Sequence, residues 1–128
     1  MKKASRPSSC PQPDLQEQGL NCFQIEGVLS ELGALRYSPG GVPVQVGRIE
    51  HGSKQFEAGV LRDVGLEMPV VAVGDKARML GAARLGSPVR ISGFVAARSL
   101  RSRTPVLHID TIEFLEGIHH GIQAGNEA

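Results

Sequence analysis

From residue 22 onward the chain alternates apolar and polar positions in short runs, and the phase repeatedly breaks beside a glycine. In CFQIEGVLSEL, residues 22–32, Phe23 and Ile25 alternate with polar neighbours before Val28, Leu29 and Leu32 take over. The slip at Gly27 predicts a first strand bent by a bulge. SPGG, residues 38–41, is a turn signal. VPVQVGRIE predicts a second strand, alternating through Val42, Val44 and Val46 and slipping at Gly47 before Ile49. HGSKQFEAG, residues 51–59, reads as a polar loop. Val64, Leu66, Met68 and Val70 then keep strict period two, and VVAV completes a long third strand. After Gly74, DKARMLGAARL predicts a short helix with Asp75 as its N-cap, weakened at Gly81 and closed at Leu85-Gly86. PVRISGFVAA is a fourth strand and TPVLHIDTIEFLE a fifth. In the fifth, Leu107 and Ile109 share one phase and Ile112 and Phe114 the other, which implies a bend or bulge between them.

Three strands, a short helix and two strands, bent at glycines, suit an all-β fold: a five-stranded OB-fold barrel with a short helix between strands 3 and 4. The pattern occupies residues 21–117 as one domain, in keeping with a chain of 128 residues. Residues 1–20, rich in Pro, Ser, Gln and charge, bury too little apolar surface to offset their ordering entropy and read as a disordered leader. Residues 118–128 read as a flexible tail, and no internal repeat is visible.

Aromatic residues make up only 4% of the chain, with no Trp and one Tyr, so the core must be built from Val, Leu, Ile and Ala. Phe23, Phe94 and Phe114 lie in apolar strands and are expected in that core. Cys10 and Cys22 are too few for a disulfide framework, so two reduced thiols are expected. The basic N-terminus has no apolar stretch behind it and is not a secretory signal. No run approaches the ~18 apolar residues of a membrane span. A cytoplasmic protein is the expectation.

Charge changes the picture. The formal net charge of +1 conceals a segregation. Residues 21–75 hold four cations against seven acids, whereas residues 76–109 hold seven cations and no acid. Such blocks suggest a basic face, although scattered surface arginines also simply solvate a fold. Three of the seven, Arg98, Arg101 and Arg103, fall in the loop between the last two strands. In OB-folds that loop, the loop between strands one and two, and the face of strands two and three commonly hold oligonucleotides. The first loop carries Arg36 and Tyr37, so two loops on one side of the barrel both present arginine. Arg48, Lys54 and Arg62, along the second and third strands and the segment joining them, complete the candidate cations.

Other chemistry has little support. SPGG lacks the Lys-Ser/Thr ending of a phosphate-binding P-loop and opens a strand rather than a helix. Glu50 and His51 are strand neighbours pointing to opposite faces, so they are not an acid-base pair. His108 reads as a surface strand histidine. His119 and His120 lie in the tail beside Glu116, a poor basis for a structural metal site. No catalytic set, metal site or cofactor site is predicted.

The stretch LRYSPGGVPVQVGRIEHGSKQFEAG, residues 35–59, resembles the primosomal replication protein N, or PriB, family. The likeness rests on Leu35-Arg36-Tyr37-Ser38-Pro39, Gly41-Val42-Pro43, Glu50-His51 and Glu57-Ala58-Gly59. It continues at Met68-Pro69, Gly93-Phe94, the Arg-Ser-rich loop, Leu107-His108-Ile109 and Ile112-Glu113, and so spans residues 21–117. The resemblance implies a bacterial, homodimeric OB-fold that binds single-stranded DNA and bridges it to the primosomal helicase PriA, and to DnaT where a species has it. One departure matters. Some members carry a Phe and a Trp near the start of strand three, where this chain has Val60 and Gly65. Stacking at those two positions is lost, which leaves Tyr37 and Phe56 as the available rings.

Three readings therefore stand. The first is a single-stranded DNA-binding accessory of replication restart, acting through Arg36, Tyr37, Arg48, Lys54, Phe56, Arg62, Arg98, Arg101 and Arg103. The second is a protein-interaction module of the primosome with weak nucleic-acid binding. The third is an RNA-binding OB module, since a charged groove alone does not separate DNA from RNA.

Overall fold

A computed structural model describes residues 19–115. In chain order it contains β1 (Phe23–Leu32), β2 (Arg36–Tyr37), β3 (Pro43–Glu57), β4 (Val60–Val73), α1 (Asp75–Gly81), β5 (Pro88–Ala97) and β6 (Pro105–Phe114). The strands form one sheet in the order β1-β5-β6-β4-β3-β2, and an additional β1–β3 pairing closes it. β2 is a two-residue strip inside the β1–β3 connection. The barrel proper therefore has five strands, with α1 between its third and fourth. This is the predicted OB-fold. The predicted leader and tail fall almost wholly outside the described residues.

Closure depends on β1 serving two neighbours. Phe23 to Val28 pair with β5, and Val28 to Leu32 with β3. Gly27 sits where β1 crosses β3: a Cβ there would lie 2.5 Å from the Glu50 carbonyl oxygen. The bulge predicted at Gly27 lies instead between Leu29 and Glu31, and Gly27 serves the close crossing. The bend predicted in the last strand is present. Ser92 pairs with Thr111 but Gly93 with Ile109, so Asp110 is the extra residue. On the far side β4 and β6 run parallel through Val70–Leu107 and Val71–His108.

The interior is aliphatic, as the composition requires. Leu29, Ile49, Leu80, Ile91 and Leu107 are each at most 1% exposed. Burying a side chain of this size stabilises by about 1.5–3 kcal/mol. Phe23 packs against this cluster, but Phe94 and Phe114 are 45% and 38% exposed. Phe94 lies on the outward phase of its strand, and Phe114, though on the inward phase of Ile112, is the last residue of its strand and is left half-exposed, so the expectation that they are core residues is corrected. Helix α1 plugs one end of the barrel with Ala77 and Leu80. Asp75 is its first helical residue rather than its cap; Gly74, at φ 78°, takes the cap position.

The polar loop predicted over residues 51–59 does not exist. β3 and β4 pair without interruption from Val44–Val73 to Glu57–Val60, and only Ala58 and Gly59 turn, both with positive φ. Two positive-φ residues are what a tight hairpin turn needs. The outer half of this hairpin projects as an arm with both faces largely solvated, so its residues lack an apolar phase although the backbone is fully paired. Cys22 is disulfide-bonded, where the composition predicts reduced thiols. Among the described residues no helix is long and apolar enough to cross a membrane.

Candidate nucleic-acid interface

The phase of β3 decides what the outer face of the barrel looks like. Ile49 points inward, and so does Gln45, which is 1% exposed. Gln45 is tolerated inside because its Nε2 donates to the carbonyl oxygens of Gly33 (2.5 Å) and Val46 (3.0 Å). The alternating valines are consequently on the outside. Val44 and Val46 stand opposite Val73 and Val71 of β4, and Arg48 stands opposite Pro69. Val44, Val46, Val71 and Pro69, together with residues 30–33 of β1 and its end, floor a groove of ≈ 800 Å³. Arg36, Arg48 and Arg98 border this groove, and His108 lines it from β6.

Two loops flank it, and each places one arginine on it: Arg36 and Arg98 line the groove, whereas Arg101 and Arg103 do not. Ser38 shapes the first: its carbonyl accepts from Gly41 N–H and its side-chain oxygen from Val42 N–H, with Gly41 at φ 86°. SPGG is thus a turn, as predicted, and it folds β2 back against Val44 and Pro43. Arg36 faces the groove, while its neighbour Tyr37 does not line it and is 59% exposed. The second loop joins β5 to β6. It is closed by Arg98 N–H to Thr104 O (2.9 Å) and Ser99 N–H to Ser102 O (3.0 Å). Arg98, Arg101 and Arg103 all emerge from it.

The predicted cations divide into two groups. Lys54 pairs with Asp63 at 2.5 Å and Arg62 with Glu57 at 2.8 Å, both along the arm. Arg48 lies 3.4 Å from Glu31 and 3.9 Å from Glu67. Arg36, Arg98, Arg101 and Arg103 have no ion-pair partner among the described residues. Phe56, 74% exposed, sits at the arm's tip opposite Leu61, far along the hairpin from the groove rather than on a loop beside it. On the sheet formed by β1, β5 and β6, Arg90 is held between Glu26 and Glu113 at 2.8 and 2.9 Å. Its hydrogen bond to Glu26, then that to Glu113, push the guanidinium pKa further up, so this cation is also partnered.

One pair was missed by sequence reasoning. Phe94 and His108 are cross-strand partners whose rings stack at 4.8 Å with an interplanar angle of 6°. The signal was available: folding the β5–β6 hairpin about the centre of its arginine loop sets residue 94 opposite 108.

The barrel and its groove define a class. The family described as "Another single-strand binding protein family" matches residues 21–111, so the chain belongs to that family of single-strand binding proteins. The wild-type single-stranded DNA binding protein from Thermus aquaticus shares the fold, with a TM-score of 0.63 at 23% identity over 79% of this chain and 52% of that one. Within the class the likeness narrows. Replication restart protein PriB of Nitrosomonas europaea is 34% identical over 101 residues, covering 77% of this chain and 93% of that relative. The solved structure of PriB from Ralstonia solanacearum has a TM-score of 0.68 at 26% identity, over 75% of this chain and 99% of that one. The chain is a member of the replication restart PriB family.

Proposed function

We propose that this protein binds single-stranded DNA through the groove over β3 and β4, as an accessory of the replication-restart primosome. The observation that carries the reading is that Arg36 and Arg98, from two loops, line an aliphatic groove without an ion-pair partner among the described residues, with Arg101 and Arg103 on the second of those loops, on a barrel of this family. The mechanism is electrostatic first. Each arginine that meets a phosphate releases condensed counterions, which contributes a salt-dependent free energy indifferent to sequence. The valine and proline floor accepts bases without hydrogen-bond readout, and exposed rings add stacking. No bond is made or broken, so the role is binding rather than catalysis. Tyr37, beside Arg36, supplies a ring at the entrance of the first loop.

The finer reading has the protein act as a homodimer that bridges DNA to the helicase PriA, and to DnaT where a species has it. A protein-interaction role gains support from the arm. Its cations are already neutralised by acids, and its tip exposes Phe56, Val60 and Leu61 at 74%, 60% and 52%. An apolar tip on a charge-balanced arm suits a protein surface better than a phosphate backbone.

Anisotropy titrations of labelled poly-dT and poly-U at two salt concentrations test the function. Tighter binding of poly-dT, weakening steeply with salt, supports it. Equal or tighter binding of poly-U points to the RNA reading, and absence of either leaves the interaction module. Sedimentation of the protein with and without purified PriA tests the bridge.

A further inference from the structure

The outer face of the barrel carries a row of side chains across four adjacent strands. Phe94 on β5 stands opposite His108 on β6, His108 beside Val71 on β4, and Val71 opposite Val46 on β3. Phe94 and His108 are already stacked face to face, at 4.8 Å and 6°. His108 lines the groove and Phe94 stands behind it, 45% exposed. One face of the imidazole is therefore covered by Phe94, and His108 lines the groove in company with Val71 and Val46. Its position is rigid. Gly93, the residue before Phe94, packs so closely on the His108 carbonyl that no Cβ would fit. Asn21 clamps the next residue, Val95, from both sides of its peptide, at 2.8 and 3.0 Å.

From this geometry we infer that His108, backed by Phe94, is a base-stacking step in the groove: a nucleobase of the bound strand lies on the valine floor with its face against the imidazole. The inference rests on the single-stranded DNA reading of the groove and adds where a base is held. The ligand chemistry follows from the surroundings. A flat π-face beside an aliphatic floor suits a planar heterocycle, and Arg98, lining the same groove, suits the phosphate that follows it.

The test compares oligo-dT with an oligonucleotide of equal length whose sugars carry no bases. Both are titrated against the full chain and against His108→Ala, His108→Phe and Phe94→Leu, with a melting curve for each variant. His108→Ala should lose affinity for oligo-dT by about 5-fold or more. Binding of the abasic strand and the salt slope should stay as in the parent, because stacking releases no counterions. His108→Phe, which keeps a ring, should restore oligo-dT binding. Phe94→Leu, which keeps bulk but removes the backing ring, should cost about 2- to 10-fold on oligo-dT alone. Equal losses on both strands, no loss on oligo-dT, or failure of His108→Phe to rescue would each overturn the stacking step. Absence of oligo-dT binding by the parent protein would instead overturn the function beneath it.

Discussion

The β5–β6 loop and the β3–β4 arm hold similar numbers of cations and treat them differently. In the loop, Arg98, Arg101 and Arg103 stand among serines and have no ion-pair partner among the described residues. In the arm, Lys54 and Arg62 each face a carboxylate across or along the hairpin. An exposed ion pair contributes only about 0–1 kcal/mol to stability. It still alters function, because a phosphate must displace the carboxylate before it can use the cation. Charge count along a sequence is therefore a poor guide to charge available to a ligand; the cross-strand register decides.

The largest effect is expected from the loop. Replacing Arg98, Arg101 and Arg103 together with Ala should weaken poly-dT binding more than tenfold in moderate salt. Its log–log salt dependence should flatten by about 2, since each single-strand phosphate contact contributes roughly 0.7. Freeing the arm is the converse change. Glu57→Gln with Asp63→Asn unpairs Arg62 and Lys54, and should tighten binding and steepen the slope by about 1 where the arm meets DNA. Unchanged anisotropy titrations in that variant would place the arm off the strand's path. Tyr37→Ala should cost about 5-fold in affinity with no change of slope, because a ring releases no counterions. Being 59% exposed, Tyr37 should leave the melting temperature unchanged when truncated. The smallest effects belong to Lys54→Ala, Arg62→Ala and Phe56→Ala. Each should shift poly-dT affinity by less than about twofold and stability by at most about 1 kcal/mol.

How legible these regions were in the sequence follows the same division. The barrel was readable because its strands are half-buried. Met68 and Val70 keep period two against the core, and the slip in the last strand marked a real irregularity, the extra residue at Asp110, whereas the slip at Gly47 marked none, because β3 pairs with β4 through it without a shift. The arm was misread as a loop because pairing there is a backbone property. With solvent on both faces, His51 to Phe56 are free to be polar, and nothing in a hydrophobic pattern reports a ladder of peptide hydrogen bonds. The groove was located through Arg36 and the arginine loop, but its floor was not, because the valines of β3 face outward while Gln45 faces inward. That inversion depends on a carbonyl acceptor at Gly33, twelve residues away in sequence, which no local window contains. Phe94 was assigned to the core because it sits in an apolar strand. An apolar residue on an outward phase beside a histidine is better explained by what it stacks on.

The measurement closest to the central claim is a salt titration of poly-dT affinity on two variants side by side: Arg98→Ala/Arg101→Ala/Arg103→Ala and Lys54→Ala/Arg62→Ala. Unpaired loop cations and self-paired arm cations predict a slope flattened by about 2 in the first and unchanged in the second. Equal flattening in both, or flattening in the arm variant alone, would contradict the account.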